Sequence, residues 1–138
     1  MKHHIIYKAV AATLLCTPLL LASCQRETKD EKIRRDFRNL TEKECPKDVD
    51  PYTSMDSVVY DIPTRTLSYY YSVREMLDDE SLYTEEVVNL HREKVQKDLK
   101  SSIQMKSYKD QGITFRYEYR SVTSGKVLLD LSFTKEDY

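Results

Sequence analysis

The chain contains only two glycines and no tryptophan among its 138 residues. Two glycines cannot supply a Gly-rich phosphate-binding loop, a collagen-like repeat or a flexible Gly/Ser linker. A basic surplus is also absent, since 22 Lys+Arg stand against 23 Asp+Glu. Because nucleic-acid-binding domains normally carry a clustered basic surplus, the composition argues against a nucleic-acid partner.

The chain nevertheless has enough apolar surface for one folded domain. Its length allows one small domain, at roughly 100–200 residues per domain. Charged residues make up 33% of the chain, but hydrophobic residues make up 40%, and eleven tyrosines are among them. This composition, with its regular spacing of Val, Leu and Ile, favours a packed core over disorder.

The first 24 residues have the parts of an export signal. Lys2 and Lys8 make the start positive, and an apolar run of about 13 residues occupies positions 9–21. A membrane-spanning helix needs about 20 residues, so this run is too short for a permanent transmembrane anchor. The run ends in Leu21-Ala22-Ser23-Cys24. This segment resembles the lipobox of bacterial lipoproteins, in which a leucine and two small residues precede a cysteine.

The resemblance implies processing and lipidation. It implies cleavage between Ser23 and Cys24, transfer of a diacylglyceryl group to Cys24 and acylation, for example by palmitate, of the new N-terminus. We therefore expect a cleaved signal peptide over 1–23, a lipidated tether over 24–27 and a single domain over 28–138. The membrane would then be a partner through the lipid on Cys24, because two or three acyl chains anchor a protein stably. An ordinary secretory signal that contains a cysteine is the alternative.

Processing would also determine in which membrane the protein is anchored and which of its cysteines keeps a free thiol. Gln25 follows the cysteine, whereas Asp at that place retains enteric lipoproteins in the inner membrane; by analogy the outer membrane is favoured. Cys16 would leave with the signal and Cys24 would carry lipid, so Cys45 would be the only free thiol in an oxidising compartment. That thiol is either buried as a small hydrophobic group or available for an intermolecular disulfide.

The first half of the domain predicts a helix followed by a hairpin. Thr28 and Glu31 fit a capping box at the start of the helix. The apolar stripe of this helix is Ile33, Phe37 and Leu40. Cys45-Pro46 should end it, because the residue before a proline is disfavoured in the α conformation. Alternating β-branched and aromatic residues over 54–60 and 66–73 then predict two paired strands.

The sequence of the second half of the domain also predicts a helix followed by a hairpin. Thr84 fits the N-cap of a second helix, whose predicted buried stripe is Val88, Val95, Leu99 and Ile103. Residues 113–120 and 127–133 alternate as strands around a turn at 123–125. We therefore predict an α+β domain of the order helix-hairpin-helix-hairpin. Its sheet would be four-stranded and antiparallel, with the helices packed on one face.

The candidate catalytic and metal-binding residues are few. Cys45 and His91 would form a nucleophile–base pair only within hydrogen-bond reach and with a third group orienting the base. A boundary histidine in the second helix is the simpler interpretation. Asp78-Asp79-Glu80 could offer oxygen ligands to calcium, but no EF-hand spacing surrounds them, and a solvated acidic loop is favoured. We predict no catalytic centre, no metal site and no cofactor.

The predicted sheet face opposite the helices is the candidate binding face. If that face is open, Tyr70 from the first hairpin would share it with Arg116, Glu118 and Arg120 from the second. Tyr and Arg are enriched at interfaces because each offers a large contact area with a polar group. The alternative is that tyrosine simply suits a half-buried pleated surface.

Basic residues on the first helix offer a second candidate contact. The helix carries Lys32, Arg34, Arg35 and Arg38 away from its apolar stripe. Because the tether is short, these cations could touch anionic lipid headgroups. Interspersed acidic residues favour a solvated helix face instead.

These observations favour a membrane-anchored, non-enzymatic interaction module of the cell envelope, and we expect an envelope protein as its partner. The alternative is an inhibitor or immunity lipoprotein that blocks an attacking hydrolase, with the acidic segment 75–80 entering a basic cleft. An envelope enzyme is the least favoured hypothesis, because no catalytic constellation is recognisable.

Overall fold

The structure is a computed structural model that describes residues 26–138. The predicted signal peptide, Cys16, the predicted lipidation site Cys24 and Gln25 lie outside the described residues. Within residues 26–138, no helix is long and apolar enough to cross a membrane.

The first helix, α1, spans Lys29–Glu44 and begins as the sequence predicts. The Thr28 hydroxyl accepts from the Glu31 amide at 3.2 Å, and the Glu31 carboxylate accepts from the Thr28 amide at 2.8 Å. This reciprocal capping box satisfies two amide groups that have no partner inside the helix. The helix ends before Cys45-Pro46, as predicted, and buries Ile33 and Phe37.

The domain contains five strands and two further helices. The strands are β1 (Lys47–Asp50), β2 (Thr53–Asp61), β3 (Thr66–Val73), β4 (Thr114–Ser121) and β5 (Val127–Phe133). The helices are α2 (Glu85–Ser101) and α3 (Lys106–Asp110), and two short 3₁₀ turns, Glu75–Leu77 and Glu80–Leu82, precede α2. The sheet order is β1-β2-β3-β4-β5. Residues 26–138 therefore form a small single α+β domain with a five-stranded mixed sheet.

The prediction of four antiparallel strands is wrong in two respects. β1 adds an edge strand, and its exposed Lys-Asp-Val-Asp sequence has no alternating burial from which it could be recognised. β3 and β4 pair in parallel, with Tyr69 opposite Tyr117. The reason is that α2 and α3 form a crossover between them, which returns the chain to the end of the sheet where β3 began. The other pairs are antiparallel.

The second helix differs from its prediction at its end. α2 begins at the predicted N-cap Thr84, and it buries Leu99. However, Ser102 adopts an extended conformation and ends the helix. Ile103 is therefore outside the helix and 87% exposed, not part of a buried stripe.

The helices and the apolar face of the sheet form one core. Its fully buried side chains include Val58, Leu67, Ile113, Phe115, Leu131 and Phe133. Ile33 and Phe37 of α1 and Leu99 of α2 pack into the same cluster. From α3, Tyr108 contacts the ring of Phe37 at 5.5 Å between centroids. The opposite face of the sheet carries no helix within the described residues.

Candidate binding surfaces

The structure brings the four predicted face residues together. Tyr70 of β3 lies directly opposite Glu118 of β4 in the sheet register. Arg116 and Arg120 lie two positions on either side of Glu118, so all four share the face that points away from the helices. The sequence pattern therefore predicted this juxtaposition, although it assumed an antiparallel pairing that the sheet does not have.

The charged side chains on this open face form ion pairs with one another. Glu118 is only 5% exposed and accepts from Arg116 at 2.8 Å and from Arg120 at 2.5 Å. Arg116 also donates to both carboxylate oxygens of Asp130, at 2.9 and 2.6 Å. These hydrogen bonds to the Asp130 carboxylate raise the pKa of Arg116. Because bidentate ion pairs are strong and geometrically fixed, this network stabilises the sheet, whatever else the face contacts.

A second surface is an apolar groove that no pattern in the sequence predicts. It has a volume of about 360 Å³ and lies at the end of the sheet where β3 and β4 terminate. Its floor is formed by Tyr71 and Val73 of β3 and by Tyr119 of β4. Val88 and His91 of α2 form one wall, and its rim is formed by Val49, Leu82, Tyr83 and Val87.

Stacked aromatic rings hold the floor of the groove in place. The rings of Tyr71 and Tyr119 lie 4.7 Å apart with an interplanar angle of 13°. His91 meets Tyr119 edge-on, and its Nε2 lies 3.4 Å from the tyrosine hydroxyl. Burial raises the pKa of Tyr71 to about 12 and lowers the pKa of His91. Desolvation disfavours the charged form of each group, so both side chains are neutral at neutral pH.

The rim of the groove exposes apolar side chains to solvent. Val49, Leu82 and Val87 line the groove and are all exposed. An exposed apolar patch bordered by polar residues marks an interaction site more often than isolated surface hydrophobes do. The sequence indication of this surface was that Val87 is apolar but lies off the predicted buried stripe of α2.

The segments around the groove are strongly acidic. Residues 47–50, 74–86 and 122–126 contain eight acidic side chains: Asp48, Asp50, Glu75, Asp78, Asp79, Glu80, Glu85 and Glu86. Their three basic residues are all paired with acids, as Lys47–Glu44, Arg74–Asp48 and Lys126–Glu80. The groove is therefore apolar inside and negatively charged around its rim.

The acidic residues considered as calcium ligands do not converge on one point. Asp78 accepts from the amide and the hydroxyl of Thr123, at 2.9 and 2.7 Å. Asp79 caps the second 3₁₀ turn, and Glu80 pairs with Lys126 at 3.0 Å. In the described part of the chain, no group of three His, Cys, Asp or Glu side chains is placed to hold a metal ion. These contacts also hold the 75–80 segment against the β4–β5 turn.

Cys45 and His91 have different surroundings. Cys45 caps the C-terminus of α1 and is partly buried, and desolvation raises the pKa of its thiol. His91 contacts Tyr119, as described above. Within residues 26–138, no hydrogen bond joins Cys45 to His91, and the raised thiol pKa is the opposite of what an activated nucleophile needs.

Comparisons with known proteins give one family and one shared fold. The model of the family called Domain of unknown function (DUF8479) matches residues 28–129. No curated protein matches the chain. A crystal structure of a Pseudomonas aeruginosa protein inferred to be secreted has a TM-score of 0.62 and 12% identity, and covers 81% of this chain and 97% of that one. The structure of a pilotin from the type 2 secretion system of Vibrio vulnificus has a TM-score of 0.56 and 12% identity, and covers 80% and 93%.

Proposed function

The chain belongs to the DUF8479 family, and we propose that it is a lipid-anchored interaction protein of the cell envelope, without enzymatic activity, that binds an envelope protein in its apolar groove. The anchor would be the lipid on Cys24, after removal of residues 1–23. The analogy with enteric lipoproteins at Gln25 favours the outer membrane as the site of anchoring.

The groove with its acidic rim is the observation that carries the proposal. Its apolar floor and walls would receive a segment with apolar side chains on one side, as in complexes where an amphipathic helix lies in a groove. The acidic rim would attract a segment flanked by Lys or Arg, because opposite charges across an interface favour the matching partner and its approach. The expected ligand is therefore an apolar segment with basic flanks.

Two further observations support a role in binding. The fold is shared with a pilotin of a secretion system and with a protein inferred to be secreted. The open face, in contrast, has its charged groups paired with one another. We therefore assign the partner to the groove and a stabilising role to Glu118 and the arginines around it.

The proposal is tested by a matched pair of substitutions at similarly exposed valines. Val87 at the groove rim is 46% exposed, and Val59, which lies on β2 away from the groove, is 48% exposed. The full-length lipoprotein carrying V87K or V59K would be cross-linked in cells and purified from solubilised membranes. We expect V87K to remove a partner that V59K retains, because a lysine replaces an apolar contact.

The sequence of the partner peptide that is cross-linked shows whether the groove assignment is correct. The proposal requires that the lost partner contact the groove through an apolar segment flanked by Lys or Arg, and that the complex weaken as salt is raised. Equal recovery with both variants, or a partner segment rich in acidic residues, would contradict the groove assignment.

A further inference from the structure

We propose that the end of the domain opposite the groove is a membrane-docking surface, on which Ile103 enters the headgroup region of an anionic bilayer while a ring of lysines contacts the lipid headgroups. This inference rests on the proposed lipid anchor and adds to it the orientation of the domain. It is based on the surroundings of Ile103, a residue that the sequence pattern assigned to the buried stripe of α2.

Ile103 is held outward by a well-connected loop. It lies in the connection between α2 and α3 and is 87% exposed. The Lys109 ammonium donates to the carbonyl groups of Leu99 and Lys100 at 2.7 and 2.8 Å, which ties α3 to the end of α2. The Ser102 hydroxyl accepts from the Met105 amide at 3.3 Å within the loop. A single exposed hydrophobe is common, so its neighbours decide its meaning.

Those neighbours are predominantly basic. Two shallow clefts border Ile103, and together they are lined by six lysines: Lys29, Lys32, Lys100, Lys106, Lys109 and Lys135. The acidic residues that line them are Asp36 and Asp110, which pair with Lys32 and Lys106 at 2.8 and 2.7 Å. The surplus charge is therefore positive. Basic residues near an anionic bilayer are attracted to it, and an apolar side chain among them can insert at the interface.

The position of the tether places this surface near the bilayer. Lys29 is the first residue of α1 and lines the same cleft as Ile103. It is five positions after Cys24, a distance of at most about 18 Å in an extended chain. A lipid on Cys24 would thus keep the lysine ring close to the membrane.

The charge distribution along the domain favours the same orientation. The groove adjoins the beginning of α2, and Lys100 lies near the end of the same helix. Because α2 has 17 residues, these two ends are about 25 Å apart. Acidic residues surround the groove end, and lysines surround the tether end. An anionic membrane would attract the lysines and repel the acidic rim, so that the groove faces away from the bilayer and is accessible to a partner.

The orientation is tested with the full-length lipoprotein in vesicles of phosphatidylethanolamine and phosphatidylglycerol. An environment-sensitive fluorophore would be attached at I103C, or at L90C as the control, in a C45S background. Leu90 is also exposed, but it lies in the first two turns of α2, at the helix end that adjoins the groove and is far from Ile103. We expect lipid-attached nitroxide quenchers to reduce the emission at position 103 at least threefold more than at position 90.

Two further arms complete the test. Replacing Lys29, Lys100 and Lys135 by Gln, or using vesicles of phosphatidylcholine alone, should reduce the excess quenching at position 103 by at least half. Equal quenching at both positions, in protein that still floats with the vesicles, would overturn the docking surface and leave the lipid anchor intact. Protein that fails to float would refute the lipid anchor and, with it, the docking surface.

Discussion

The imidazole of His91 meets the ring of Tyr119 edge-on, at 5.4 Å between centroids and an interplanar angle of 88°. This contact joins α2 to β4 at the floor of the groove. Burial is the main cause of the lowered His91 pKa, and the charge of Lys94 contributes in the same direction. The neutral imidazole is therefore the form that the folded domain favours.

The lowered His91 pKa predicts a loss of stability on mild acidification. Below about pH 6.5 the unfolded chain binds a proton at this histidine that the folded chain resists, so the free energy of unfolding falls as the pH decreases toward the folded-state pKa. Urea unfolding between pH 7.5 and 5 should show this decline in the wild type, with a slope no steeper than the uptake of one proton. H91Q should show a flatter profile in this window. Parallel profiles for the two proteins would contradict the account.

The buried carboxylate on the open face predicts a larger effect on stability. E118Q removes the charge that pairs with Arg116 and Arg120 and leaves the two guanidinium groups without their shared partner. Charge-assisted hydrogen bonds of this kind lead us to expect a loss of about 1–3 kcal/mol in the free energy of unfolding. The exposed Glu93 on α2 provides the control, because E93Q should change stability by no more than about 0.5 kcal/mol. An unfolding midpoint for E118Q equal to that of E93Q would show that the network contributes little.

The lipid anchor predicts a clear difference between two cysteines. C24A should abolish incorporation of radiolabelled palmitate and release the protein from the membrane fraction, because the acyl chains are lost. C45A should leave both unchanged, since Cys45 lies in the folded domain at the end of α1. Palmitate incorporation that survives in C24A would refute the lipobox interpretation.

Features determined by neighbouring residues were predictable from the sequence. The capping box of Thr28 and Glu31, the end of α1 at Cys45-Pro46 and the N-cap Thr84 each depend on contacts within a few residues. The turn at 123–125 is similar, and Gly125 there adopts a φ of +71°, which glycine accommodates without strain.

Features that depend on distant contacts were not predictable. The parallel pairing of β3 with β4 follows from the path of the α2–α3 crossover, which the alternation within each strand does not encode. Ile103 continued the helical spacing of α2, but the helix had already ended. The groove combines Val49, Leu82 and Tyr119 from three separate parts of the chain. No pattern within one segment could have assembled it.

The central claim is that the groove contacts an envelope protein, and site-specific photocross-linking in living cells tests it most directly. A photoreactive residue would replace Leu82 at the groove rim, Val59 on β2 or Tyr70 on the open face. Strand β2 lies next to the edge strand β1. The account predicts a discrete adduct from position 82 whose partner peptide is apolar with basic flanks, and no such adduct from positions 59 and 70. Adducts from position 70 alone would contradict it and assign the contact to the open face.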